Sequence, residues 1–237
     1  MQSIWPRLLG LSILLLPLLA TAQTSKVIGR SRQNRPIKML TFGNGPSKVL
    51  ILGGVHGDET PSVPLVQDLT AYLEANPDIV AGRTISIIQE VNPDGVAAGT
   101  RANSIGVDLN RNMEYDWSPA PSTGGLSPGT APYSEPETVA LRNVLIDFKP
   151  GRILSVHAFA NILDYDTNNG LVLASLMAKK NGMTVTTIGY PTPGSLGRYC
   201  VANNIPLVTL ELPAGRTRAD IWAWQRPALV EFIVAGL

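Results

Sequence analysis

The stretch Lys48-Val-Leu-Ile-Leu52-Gly-Gly-Val-His56-Gly-Asp-Glu59 decides the fold class. Lys48 to Leu52 reads as a continuous apolar run with no alternation of polar and apolar residues. Such a run suits a strand covered on both faces, and the Gly53-Gly54 pair ends it in a turn. The pattern returns at Ile85 to Val91, which stops at the turn sequence Asn92-Pro93-Asp94-Gly95, at Arg152 to Val156, and at Ile205 to Leu212. Helix signals lie between these runs. Thr60 to Glu74 carries Val63, Val66, Leu69 and Leu73 at helical spacing, with Thr60 and Pro61 at its start. Ser134-Glu-Pro-Glu137 has the form of a capping box leading into Val139 to Phe148. Leu171 to Lys180 and Ala219 to Val234 complete the set. Strands alternating with helices predict one α/β domain around a largely parallel sheet. Trp117 to Pro132, rich in Pro, Gly and Ser, reads as a surface loop.

Composition narrows the function. The chain has 237 residues, 44% hydrophobic and 16% charged, which excludes a disordered chain. With 19 Lys+Arg against 18 Asp+Glu and no basic run, it lacks the electrostatic footprint of a nucleic-acid partner. One cysteine, Cys200, excludes a disulfide framework and a multi-cysteine zinc module, and suits a small buried hydrophobe.

Residues 1–22 read as a secretory signal peptide. Arg7 precedes an uncharged, Leu-rich run from Leu8 to Ala22 that ends in Ala20-Thr21-Ala22, a small-residue cleavage pattern. The run is short for a membrane span and contains Pro17. The expected product is an exported, periplasmic or secreted domain of residues 23–237, formally neutral and free of the membrane.

There are only two histidines, and each follows an apolar run: His56 after the first and His157 after the third. The carboxyl ends of strands are where ligand sites gather in open α/β sheets. His56, Glu59 and His157 make a two-histidine, one-carboxylate set, the ligand type of catalytic zinc sites that keep a position open. The same residues taken singly equally fit polar groups at strand ends. Glu211 stands inside Leu207-Val-Thr-Leu-Glu-Leu212, where a carboxylate is costly unless paired or used. A general base beside a metal water and an edge-strand residue facing solvent fit it equally. In Arg101-Ala-Asn-Ser-Ile-Gly-Val-Asp-Leu-Asn-Arg111, Arg111 beside Asn110 can clamp a carboxylate, Arg101 can face an oxyanion and Asp108 can hold a histidine by its second nitrogen. By itself this segment is also an ordinary polar loop. Arg198 is a candidate contact for a second substrate carboxylate.

Together these segments resemble the zinc carboxypeptidase family, in family order from about Gly29 to Pro213. Gly53 to Glu59 resembles its His-x-x-Glu zinc motif. Asn92 to Gly95 with Gly106-Val-Asp-Leu-Asn-Arg-Asn112 resembles its substrate-carboxylate motif. Ser155-Val-His157 resembles its third zinc ligand, and Thr209-Leu-Glu-Leu-Pro213 its catalytic glutamate strand. Gly29 to Ile37 is similar to its N-terminal hairpin. Ser134 to Thr138 and Gly189 to Cys200 resemble a bacterial branch that cuts the γ-D-glutamyl–meso-diaminopimelate bond of cell-wall peptides. This chain differs from that branch in its export signal.

The resemblance implies an α/β/α sandwich around a mixed, mostly parallel sheet of about eight strands, and one Zn²⁺ per chain. His56, Glu59 and His157 would hold the metal, with Asp108 orienting His56. Glu211 would be the general base, and Arg101 would stabilise the oxyanion. Asn110 and Arg111 would grip the carboxylate beside the scissile bond, Tyr190 would match a mobile tyrosine, and Leu196 would line the specificity pocket. The expected activity is amide hydrolysis in peptides, foremost those derived from peptidoglycan. A general carboxypeptidase, a zinc deacylase of acylated amino acids and a non-catalytic wall-peptide binding module are the other readings.

Overall fold

The computed structural model describes residues 23–122 and 124–236. The expected signal peptide, residues 1–22, lies outside them. Among the described residues no helix is long and apolar enough to cross a membrane.

Eight strands form one mixed sheet: β1 (Gln23–Arg30), β2 (Pro36–Phe42), β3 (Ser47–Leu52), β4 (Arg83–Ile88), β5 (Arg152–Ala158), β6 (Ile162–Tyr165), β7 (Thr184–Val185) and β8 (Leu207–Leu212). Their spatial order is β1-β2-β4-β3-β5-β8-β6-β7. The central β4-β3-β5-β8 pairs are parallel, as are β6 and β7. β1 with β2, β2 with β4, and β6 with β8 are antiparallel.

The unbroken apolar runs serve two cores, one per face. Val49, Ile51, Leu154, Val156, Val208 and Leu210 face a layer built from α1 (Ser62–Ala75), α5 (Asn168–Asn181) and α7 (Arg218–Val234). Leu50, Leu52, Ile153 and Leu207 face α4 (Pro136–Phe148) and α6 (Leu196–Ala202). Successive residues point to opposite faces, so both sides of each central strand are apolar and the helices sandwich the sheet. Two short helices, α2 (Pro77–Val80) and α3 (Pro93–Ala98), sit in connections. Cys200 is fully buried in the α4–α6 core, as a small hydrophobe would be.

Three local expectations are corrected. The capping box at Ser134 does not form: Glu135 is the residue before the first helical turn and no side chain caps it. Ser134 Oγ bonds Glu135 and Asn112 instead, and Glu137 Oε1 accepts from the Arg32 amide, so tertiary partners take both side chains. α1 begins at Ser62 rather than Thr60, and Ser62 Oγ accepts from the Gly54 amide. The Ile85 run leaves the sheet after Ile88, because Val91 and Asn92 turn their amides onto Gly53 and Gly54. Trp117 to Pro132 carries no helix or strand among its described residues; the Trp117 indole N–H is tied to the Pro128 carbonyl.

The turn after β3 is held tightly. A β-carbon on Gly57 would stand 1.9 Å from the Gly95 carbonyl carbon, so the His56 loop and the Asn92–Gly95 turn touch backbone to backbone. Gly57→Ala is expected to lower stability by about 1–3 kcal/mol through overpacking, seen as a fall in melting temperature. An unchanged Tm would show that the two loops part freely.

Candidate active site

Strand ends bring the chemistry to one place. His56 and Glu59 lie on the turn leaving β3, and His157 is the sixth residue of β5, the next strand in the sheet. All three are buried, and their ligating atoms lie within 4.8 Å of one another. His56 Nδ1 is 2.7 Å from Glu59 Oε1, His157 Nδ1 is 2.9 Å from Glu59 Oε2, and the two Nδ1 atoms are 3.2 Å apart. The Ala158 amide donates to Glu59 Oε2 at 3.1 Å.

On its far side, His56 Nε2 stands 3.1 Å from Asp108 Oδ1. A carboxylate can only accept, so the hydrogen sits on Nε2 and the Nδ1 lone pair turns to the centre. Asp108 is itself held by the Asn110 amide at 2.9 Å and by Arg101 Nε at 3.4 Å. Burial opposes ionisation of both carboxyls, yet each is held well below the ordinary carboxylate range: Glu59 by His157 and His56, and Asp108 by His56 with Arg101 and Arg111. Two imidazole nitrogens and a carboxylate converging in a buried space make a set of donor atoms that one cation can satisfy together. That donor set fits zinc, with a coordination position left for the cavity side.

Glu211 faces this group. β8 lies between β5 and β6, so it is an interior strand, and Glu211 pairs in register with His157. The solvent-facing alternative for Glu211 is thereby removed. Burial pushes its carboxyl above the ordinary range, with His157 pulling it down and Glu59 adding to the rise.

A cavity of about 160 Å³ joins these parts. It lies between the carboxyl half of β5 and β8 and the start of α6, and it also receives Arg101, Asn110, Arg111, Tyr190 and Leu196. Arg101 donates to Glu59 Oε1 at 3.0 Å while lining the cavity. Arg111 is only 5% exposed, and its guanidinium bonds the Asn110 carbonyl at 2.6 Å. Among the described residues no carboxylate comes within ion-pair distance of it. Asn110 Oδ1 accepts from the Leu196 amide at 3.0 Å, which ties the Asn110–Arg111 turn to the first residue of α6. Gly194 keeps this join close: its φ is +67°, and a β-carbon there would stand 2.4 Å from the Arg111 carbonyl oxygen. Leu196 is buried in the wall, and Tyr190 is exposed at the rim.

Arg198 is not brought into this cavity. It pairs with Asp116 and lines an adjoining, more open one. Sequence reasoning missed Ser155, Phe159, Asp164, Asp166 and Thr209, all of which line the metal cavity. A signal for Ser155 and Thr209 was available, since each lies two residues before a site residue and so on the same strand face. None pointed to Asp164, whose strand is only four residues long.

A guanidinium fork gripping a carboxylate loses bidentate geometry when replaced by an ammonium. Arg111→Lys is expected to reduce kcat/KM by about 10- to 100-fold, the loss of one to two charge-assisted hydrogen bonds. Unchanged kinetics would remove Arg111 from substrate binding.

Residues 20–170 match the family model described as zinc carboxypeptidase. Murein peptide amidase A of Escherichia coli (strain K12) is 35% identical over 176 residues, covering 69% of this chain and 70% of that protein. The crystal structure of murein-tripeptide amidase from Escherichia coli O157 superposes with a TM-score of 0.71 at 26% identity, covering 90% of this chain and 92% of that one. Carboxypeptidase A from Helicoverpa armigera shares the fold, with a TM-score of 0.75 at 20% identity over 90% of this chain and 66% of that one. Motif order, the converged His–Glu–His group and these matches agree, and the chain belongs to the zinc carboxypeptidase family, as a zinc metallopeptidase.

Proposed function

We propose that this zinc peptidase hydrolyses cell-wall peptides, at the amide bond between γ-D-glutamate and meso-diaminopimelate. One observation carries the reading: a buried guanidinium without a carboxylate partner among the described residues, Arg111, opens into the cavity that holds the His56–Glu59–His157 group and Glu211. A substrate with a free carboxylate next to its scissile amide satisfies that guanidinium. The similarity to murein peptide amidase A supports a wall peptide as the source of that carboxylate.

His56, Glu59 and His157 would hold the zinc, which would supply Lewis-acid chemistry to the carbonyl and to water. The protein supplies the rest. Asn110 and Arg111 fix the leaving residue by its carboxylate. Glu211 takes a proton from the attacking water as its oxygen bonds the carbonyl carbon, then passes that proton to the leaving amine as the C–N bond breaks. Arg101 offsets negative charge developing on the carbonyl oxygen. Asp108 keeps the His56 ring oriented.

The Leu8–Ala22 run supports action outside the cytoplasm, and amino-terminal sequencing of the secreted protein tests that part. The bond itself is tested by incubating purified protein with defined muropeptides and identifying products by mass. Free meso-diaminopimelate from the tripeptide is the expected product, and its release is expected to stop when the L-centre carboxylate is amidated. Cleavage of ordinary carboxy-terminal Phe or Leu peptides, with the muropeptide untouched, would assign a general carboxypeptidase instead.

A further inference from the structure

The cavity carries more polar groups than amide hydrolysis uses. Strand register places Ser155 of β5 beside Thr209 of β8, and Thr209 beside Asp164 of β6. This row crosses three adjacent strands, two residues in from His157 and Glu211 and therefore on the same face. Asp166, two residues past Asp164, lies against the start of α6: a β-carbon on Gly197 would stand 2.6 Å from either of its carboxylate oxygens. All four side chains line the metal cavity.

These groups are short of partners. Ser155 is 2% exposed, and its Oγ has no hydrogen-bond partner. Asp164 is buried, and its Oδ1 accepts from the Ile188 amide at 3.0 Å. Among the described residues, no cationic side chain comes within ion-pair distance of Asp164 or Asp166. Burial, then the neighbouring Asp164 charge, push the Asp166 carboxyl up to about 6, with Arg198 acting the other way. Asp164 is buried and Asp166 half-buried; carboxylates so placed are costly unless paired, and a bound cation would relieve both their desolvation and their mutual repulsion. The two acids stand on the wall shared with the adjoining cavity, so they face a ligand from the metal side while Arg198 stays beyond them.

We infer that Asp164 and Asp166, with Ser155 beside them, form the end of the cavity that selects the leaving residue's side chain, and that they select a primary ammonium. An ammonium is a compact charge with three donors, which match two carboxylates and one hydroxyl; a planar guanidinium is a poorer match to this enclosed set. Leu196, in the wall, packs the methylene stem that precedes it. The preferred leaving residue is thus a diamino acid held at both ends: its carboxylate by Arg111 and its distal ammonium by the acid pair. This deepens the proposed function and rests on its assignment of Arg111 to the leaving residue's carboxylate.

The test uses the full zinc-loaded enzyme and three leaving residues: L-lysine, L-norleucine (the same stem without the ammonium) and Nε-acetyl-lysine. Each is presented on a γ-D-glutamyl and on a benzoylglycyl donor. The parent is expected to favour lysine over both neutral residues by about a hundredfold in kcat/KM, as a site built for a polar group rejects its absence. Asp166→Asn and Asp164→Asn are each expected to lower the lysine-to-norleucine ratio at least tenfold with zinc content unchanged. Asn keeps an acceptor for the Ile188 amide, and Asp166→Asn alone decides the matter if the Asp164 variant does not fold. Equal cleavage of lysine and norleucine by the parent, or equal losses on both in the variants, would overturn the inference. Lysine selectivity seen only on the benzoylglycyl donor would keep the acid pocket and reject the γ-D-glutamyl bond. Cleavage of γ-D-glutamyl substrates without selectivity would do the reverse.

Discussion

Glu211→Gln is expected to lower turnover by about 10³- to 10⁴-fold while the protein keeps its zinc. The size is that of removing a positioned general base, and the side chain is chosen because Gln preserves shape and hydrogen bonding but accepts no proton. Glu211 lies in an interior strand directly beside His157, half-buried at the cavity wall, so no bulk-water base reaches the same point unaided. Its neighbours are the metal ligands, but it is not one of the converged donors. Metal content and activity should therefore separate in this variant. Metal analysis and the rate of product release, followed by mass, read the two independently. Activity within a few-fold of the parent would show that another group moves the proton. Loss of zinc together with activity would make Glu211 part of the metal site.

His157→Ala should do the opposite and remove metal and activity together. His157 supplies one of the three donors that converge among the described residues, and its ring also lies 2.9 Å from Glu59. Even outer partners of a ligand are worth about 10- to 100-fold in metal affinity, so deletion of a direct ligand is expected to exceed the upper figure. Bound zinc stabilises the folded state by mass action, so the variant should also melt below the parent and respond little to a chelator. His56→Ala should behave alike. Full zinc retention in both variants would place the metal elsewhere.

How far these sites can be read without coordinates differs from residue to residue. His56, His157 and Glu211 stood out as polar residues within or just after apolar runs, where burial of such a group demands a reason, and Glu59 by standing three residues after His56. Arg111 was ambiguous in the chain, since a loop arginine is ordinarily solvated; only its burial without a carboxylate partner separates it from a surface charge. Ser134 shows the opposite failure. Its spacing to Glu137 satisfies a local rule, yet Asn112 and Arg32, both distant in sequence, take the two side chains. Asp164 and Asp166 gave no signal, because β6 is only four residues long, too short for a periodic pattern to stand out, and joins the sheet through its pairing with β8.

Local sequence determined the four central strands, their two-sided apolar layers and the identity of the candidate metal donors. These follow from hydrophobic runs and residue chemistry, which act over a few residues. Strand order decided the rest. Insertion of β8 between β5 and β6 turns Glu211 inward and aligns Ser155, Thr209 and Asp164 on one face. Register between segments about fifty residues apart is set by the packing of the whole sheet against its helices, and no local pattern in either segment encodes it.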